Sequence, residues 1–215
     1  VIGRRAVLGA GAAIAVRQAA AALPVPPDNG LAFRMIRHGS EIGRHMVAFE
    51  RQGNRLTVRI AVDAKITLLT IPIARYTHRA VETWQGETLV GLTGQTDKNG
   101  EQGWIDARRT SEGLVVLGSN TARYIAPEHA IGVSYWNKHM LNGPMISLEN
   151  GELLRPKVAE DRTEAIPLAS GRTIPAEHYD ISGPFNVEVW YDRNDTWASL
   201  ALDIADGSEV RYERL

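Results

Sequence analysis

His78 and Glu82, in the stretch ARYTHRAVETW (74–84), set an imidazole and a carboxylate four positions apart. Read as a strand, the stretch puts Tyr76, His78, Ala80, Glu82 and Trp84 on one face, with Arg75, Thr77, Arg79 and Thr83 on the other. Four strand steps separate the two polar groups by about 13 Å, too far for a direct hydrogen bond. Facing a barrel interior, they could orient the polar head of a bound molecule. The more ordinary reading is a satisfied core pair.

The other chemistry-bearing residues point away from catalysis. Ser134, in SYWNKHML (134–141), has no Gly-x-Ser-x-Gly elbow around it. Tyr135 and Trp136 read instead as aromatic anchors that hold a connecting segment over the open end of a barrel, with Asn137 capping a turn. Histidines stand at 38, 45, 78, 129, 139 and 178, without His-x-His or His-Glu-x-x-His spacing. No cysteine is present, which excludes disulfides and thiolate chemistry. The glycines of GAGAA (9–13) follow no strand and do not form a phosphate loop. Neither a metal nor a cofactor is expected, and the chain reads as non-enzymatic.

A further feature is apolar. In ITLLTIPI (66–73), Ile66 and Leu68 continue the inward parity of the preceding strand. Leu69, Ile71 and Ile73 fall on the face that is polar at Arg59, Asp63 and Lys65. Burying each such side chain is worth about 1.5–3 kcal/mol, so something should cover them. The cover is either another segment of the same chain or a lipid, a hydrophobic ligand or a partner protein at a barrel rim. Ile66, Leu68, Leu69, Ile71, Ile73, Tyr76, His78, Glu82, Tyr135 and Trp136 are accordingly the candidate ligand-binding residues.

These residues must be positioned by strands. Turn signals such as Gln52–Gly53–Asn54, Lys98–Asn99–Gly100 and Asp206–Gly207 separate short alternating segments. Strands are expected near 31–37, 44–51, 55–70, 73–84, 88–97, 102–110, 113–119, 121–125, 152–159, 172–182, 185–192, 196–205 and 208–214. One short helix is expected within 126–141, started by Pro127. In VEVWYDRNDTWASL, a four-residue turn pairs Trp190 with Trp197 on one face, under the cover of the helix or of the Tyr135–Trp136 segment. A meander this large must curl. The expected fold is all-β, a single curled antiparallel sheet of about a dozen strands forming a barrel or half-barrel, with one short helix.

The N-terminal GRRAVLGAGAAIAVRQAAAALP (3–24) has two arginines, a weakly hydrophobic stretch and an alanine tract. It is similar to a twin-arginine export signal. The expected organisation is an export signal at 1–22, a proline-rich tether at 23–30 and one β-domain at 31–215, with a periplasmic location. Removing Arg4, Arg5 and Arg17 from the 24 Lys and Arg leaves 21 against 25 Asp and Glu, a formal charge of −4. That balance argues against nucleic acid as a partner. No transmembrane helix is expected in the mature chain.

Three stretches, FRMIRHGSEIGRHMVAFERQGNRLTV (33–58), SYWN and VWYDRNDTWASLALDIADGSEVRYERL (189–215), resemble an uncharacterised family of exported bacterial β-proteins. That family is in turn similar in pattern to periplasmic half-barrels of the outer-membrane lipoprotein-carrier type. The resemblance implies a concave apolar sheet that holds acyl chains, and it supplies no catalytic residues. The expected function is binding or carrying a hydrophobic ligand or lipid in the cell envelope. The contrasting expectation is a structural or protein-interaction module that uses the apolar rim as its interface.

Overall fold

Alternation of apolar and polar residues builds nearly every wall strand. In β3, Leu56, Val58, Ile60 and Val62 are buried on one face while Arg59 and Asp63 are exposed on the other. The computed structural model of the protein describes residues 23–68, 71–204 and 206–215, with the side chains of Leu68, Ile71, Pro72 and Asp161 outside that description. The expected export signal at 1–22 lies outside the described residues. The stretch 23–29, expected as a tether, lies against the domain: Leu23 is buried in the core, and the Asn29 carbonyl accepts from the Phe49 amide.

Eight strands run in order: β1 (Gly30–Arg37), β2 (Ser40–Gln52), β3 (Arg55–Leu68), β4 (Ile71–Gln85), β5 (Thr88–Lys98), β6 (Glu101–Thr110), β7 (Gly113–Gly118) and β8 (Thr121–Ile125). A connecting segment follows, with the two-residue strands β9 (Ile131–Gly132), β10 (Met145–Ile146) and β11 (Leu153–Leu154) forming a small sheet of their own. The chain then completes the wall with β12 (Lys157–Pro167), β13 (Thr173–Ser182), β14 (Val187–Asp192), β15 (Trp197–Asp203) and β16 (Glu209–Arg214). One antiparallel sheet of 13 strands results, in the order β12-β13-β14-β15-β16-β1-β2-β3-β4-β5-β6-β7-β8. It is curled but not closed, and β8 and β12 are its edges. Among the described residues no helix is long and apolar enough to cross a membrane.

Four expectations need correction. The one short helix expected in this segment is a 3-10 helix, Lys138–Asn142, which starts after Asn137 and not at Pro127; the Asn137 Oδ1 accepts from the His139 amide at 3.1 Å. Gly132 instead belongs to the short strand β9, where a Cβ would lie 2.7 Å from Leu148 Cδ2. The strand expected at 152–159 is β12, at Lys157–Pro167, and it continues through 160–167 because it carries a bulge between Glu160 and Thr163. β3 ends at Leu68 and β4 begins at Ile71, which pair with each other, so Ile71 and Pro72 belong to β4 and the chain does not wait until after Pro72 to reverse.

Lastly, Trp190 and Trp197 lie on opposite faces. The register slips between Trp190 and Tyr191, so that Tyr191 pairs with Trp197 and Trp190 with Ser199. The turn is one residue shorter than expected, with Asp195 at φ 55° and Asp192 Oδ1 accepting from the amides of Asn194 and Thr196. A three-residue hairpin turn ending in a left-handed residue brings a bulge, and the bulge reverses parity. Trp197 therefore enters the core beneath Tyr135, their ring centroids 5.4 Å apart. Trp190 packs outside, under Ile166 and Ala176 of the β12–β13 hairpin.

The connecting segment fills the barrel. Trp136, Met140, Met145 and Ile146 are essentially inaccessible and belong to the same core as the inward side chains of the wall. Room for its backbone comes from glycines on three adjacent strands. A Cβ on Gly94 would lie 2.5 Å from the Leu148 carbonyl oxygen, one on Gly103 2.5 Å from that of Glu149, and one on Gly118 2.0 Å from that of Asn150. Such contacts are why glycine marks close backbone approach within a strand. Lys138 ties the plug to the wall through Glu177 at 2.6 Å and Asp195 at 2.7 Å. The substitution Gly118→Ala forces plug and wall apart, and is expected to lower the free energy of unfolding by about 1–3 kcal/mol in urea titrations.

Candidate functional site

The expected site residues divide into two clusters, with Ala80 between them on the inner face of β4. The deeper one centres on Glu82, which is fully buried between Val58 and Leu92 on the neighbouring strands. Its Oε2 accepts from the indole Nε1 of Trp84 at 2.8 Å and of Trp136 at 3.0 Å. Its Oε1 accepts no hydrogen bond and abuts Gly132, where a Cβ would stand 3.1 Å away. The Ser134 hydroxyl donates to the Gly132 carbonyl at 3.4 Å and is also close enough to serve the carboxylate. Burial pushes the Glu82 carboxyl above the usual carboxylate range, and the hydroxyl and the two indoles offset that only in part. Glu82 and Trp136 thus join wall to plug, and both are fully buried in this structure.

The shallower cluster lies nearer the β3–β4 hairpin. His45, Val62, His78 and Thr96 form one inward row across β2, β3, β4 and β5. His78 Nδ1 meets Thr96 Oγ1 at 2.8 Å, and its ring stacks on Tyr76 with centroids 6.4 Å apart. The Tyr76 hydroxyl donates to Glu149 Oε1 at 2.7 Å. His45 is wedged against Trp197 and Tyr212, at 4.9 Å and 5.8 Å between centroids, and its Nε2 is buried without a hydrogen-bond partner. Tyr135 completes the group. Its backbone is left-handed, with φ 61°, and its carbonyl accepts from the Tyr191 hydroxyl at 2.8 Å. A non-glycine residue held there costs on the order of 1–3 kcal/mol, so its ring position is imposed by its surroundings.

The cluster is uncharged except for Glu149. Burial, with a smaller push from the neighbouring His78, lowers His45 to about 3. Burial lowers His78 to about 4, Arg79 assisting and Glu149 opposing. Burial, reinforced by the charge of Glu149, raises Tyr76, Tyr135 and Tyr212 well above the ordinary phenol value. Near neutral pH the group therefore presents neutral imidazoles and protonated phenols, which donate and accept hydrogen bonds.

Around it lies the apolar rim. Ile66 is half-buried on the inner face and Ile73 is 57% exposed on the outer one. Leu69, and the side chains of Leu68 and Ile71, lie outside the described residues. Among the described residues the inward side chains and the plug form one buried core, and two shallow hollows lie outside it. One, of about 470 Å³, is lined by Trp104, Asp106, Arg108, Thr110, Val115 and Leu117. The other, of about 780 Å³, runs along the seam between β8 and the β11 region. The concave apolar hollow implied by the lipoprotein-carrier resemblance is occupied by the plug.

The structure brings together Tyr76, His78 and Tyr135, and separately Glu82 and Trp136. His45, Tyr212 and Glu149 are additions to the expected set. Alternation could have found two of them, since His45 shares parity with Val47 and Phe49, and Tyr212 with Val210.

Two expectations follow for stability. Because Glu82 titrates higher folded than unfolded, its contribution declines as pH rises above about 4.3. Glu82→Gln should thus gain on the parent chain as pH increases from 4 to 8 in denaturant titrations. Glu82→Ala leaves two buried indole donors unpaired and should cost about 3–5 kcal/mol. The histidines act in the opposite sense. Both titrate lower folded than unfolded, so stability is lost as pH falls from about 6.5 toward 4. A His45→Gln, His78→Gln double variant should show a flatter acid limb of the stability profile, whatever its stability at pH 7.

The comparisons with known proteins bear on fold and family. The chain is similar to a crystal structure of a beta-barrel-like protein of the domain of unknown function DUF1849 from Brucella abortus, with a TM-score of 0.59 and 10% identity. The similarity covers 86% of this chain and 95% of that one, and at such identity it speaks for the fold alone. No curated protein matches the chain. The family model that matches spans residues 33–215, from the middle of β1 to the last residue, and so takes in both clusters and the plug. The chain belongs to the family described as domain of unknown function DUF6134.

Proposed function

We propose that the protein is a non-catalytic binding or carrier protein for a hydrophobic ligand of the cell envelope, and that it works in the periplasm after export. The observation that carries this reading is the position of the half-buried Ile66 and the exposed Ile73 on the two strands of the hairpin that also carries Tyr76 and His78, members of the neutral cluster with Tyr135, Tyr212 and His45. An amphiphile would lay its apolar part along the rim and turn its polar head to the phenols and imidazoles. The filled barrel favours a ligand held at the mouth over one swallowed whole. The chemistry of the cluster favours a neutral, hydrogen-bonding head such as a glyceride or amide. A phosphate would meet Glu149 with no cation in the cluster to offset it. Export is supported by the twin-arginine pattern and the resemblance to exported β-proteins, and the absence of cysteine is compatible with an oxidising compartment. The burial of Ser134 supports a non-catalytic role.

A second reading rests on the exposure of Ile73: the rim could meet another protein of the envelope, or a second copy of this chain, instead of a lipid. Native mass spectrometry and solvent extraction of the mature protein distinguish the two. The carrier reading expects a co-purifying amphiphile. It also expects Ile73→Ser to weaken binding of a fluorescent monoacylglycerol at least about fivefold, with the unfolding free energy changed by less than about 0.5 kcal/mol. A ligand-free dimer that Ile73→Ser converts to monomer would replace it with the interface reading.

A further inference from the structure

On the outer face of the wall, well away from the mouth, β13 and β14 bring an imidazole and two carboxylates together. Asp180 and Glu188 are directly opposed across the strand pair, and His178 is opposed to Trp190 one step along the same face. His178 Nε2 lies 3.7 Å from Asp180 Oδ1 and 3.9 Å from Glu188 Oε2, and the three potential ligand atoms are within 4.8 Å of one another. We infer that His178, Asp180 and Glu188 form a binding site for a divalent transition-metal ion of the zinc type.

Geometry is the first argument. Two ligand atoms about 2.1 Å from a tetrahedral ion stand roughly 3.4 Å apart, so small side-chain rotations bring this triangle to a coordinating size. Preorganisation is the second. The His178 ring is buried and stacked on Trp190 with centroids 4.6 Å apart and planes 11° apart. Trp190 is itself held, its Nε1 donating to Glu164 at 2.6 Å and the Arg211 guanidinium lying 5.2 Å from its ring. The imidazole therefore points at the carboxylates with little rotational freedom left to lose.

Charge is the third. Like charges directly opposed across two strands destabilise the pair unless a cation stands between them. Arg211, on the same outer face, is engaged by Glu209 at 3.2 Å. A dication between Asp180 and Glu188 would turn that repulsion into attraction. The nitrogen ligand selects the class of ion, because magnesium and calcium prefer oxygen-only shells and imidazole suits zinc and its neighbours. Both carboxylates are about half-exposed. A fourth coordination position would thus face solvent, leaving an open site in place of a closed structural centre.

The test uses the full chain, stripped with a chelator and titrated with zinc chloride by calorimetry and tryptophan fluorescence. One ion per chain is expected, with a dissociation constant below about 10 μM and a change in emission from the Trp190 stacked on the ligand imidazole. Asp180→Asn and Glu188→Gln alter half-exposed positions and should fold; each should weaken zinc at least about tenfold and abolish its effect on the thermal midpoint. The exposed His129→Gln should leave binding unchanged, and magnesium should not compete. The inference is overturned by no binding at 100-fold higher zinc, by equal binding in the two carboxylate variants, or by displacement with magnesium.

Discussion

A sheet of 13 antiparallel strands presents one apolar face along its whole length, and that face must be covered. The sheet curls until the inward side chains from β1 to β16 form one core, but curling alone leaves a hollow. The stretch between β8 and β12 fills it, so that the link joining the two sheet edges is also the barrel's interior. Nearly every other feature answers to this. The glycines at 94, 103 and 118 exist where backbone must lie on backbone. The Glu82 carboxylate exists where two indoles, one from the wall and one from the plug, must place their N–H groups away from water.

The same packing separates residues that a single strand would group together. His78 and Glu82 share a face of β4, yet one joins an aromatic cluster near the mouth and the other is sealed under Trp136. Burial decides the difference. Glu82 has indole donors for one oxygen and is driven toward its protonated form; His78 has one hydroxyl partner and is driven toward neutrality. The end of the barrel near the β3–β4 hairpin consequently gathers neutral, mostly buried donors and acceptors, with the exposed Ile73 on the outer face of β4. Glu149 supplies the cluster's charge and comes from the plug, so plug position and the electrostatics of the cluster are coupled.

The outer face follows a different logic. Most of it is polar, as expected for the wet side of an antiparallel sheet. Trp190 breaks that rule because the β14–β15 bulge sends it outward, and the β12–β13 hairpin folds over it with Ile166 and Ala176. The stacked His178 and the opposed carboxylates Asp180 and Glu188 lie beside this small second core. A rigid aromatic base is what lets a pair of surface strands hold three ligand atoms in register.

Amino-acid order alone determined the number of wall strands, most of their limits and the inward faces of β3 and β4, because a period-2 pattern with turn residues between segments is a local property. It placed Tyr76, His78 and Glu82 on the inner side for the same reason. Folding in three dimensions decided what each of them touches. Whether the interior is hollow or filled depends on where the mostly irregular link 126–156 settles, and no periodicity encodes that; only the strand glycines hinted at it. The face of Trp197 turned on a one-residue bulge, which reverses parity without changing composition. The gathering of His45, Tyr135 and Tyr212 about His78, and of Glu188 about His178, joins residues remote in the chain through strand register, a property of the assembled sheet.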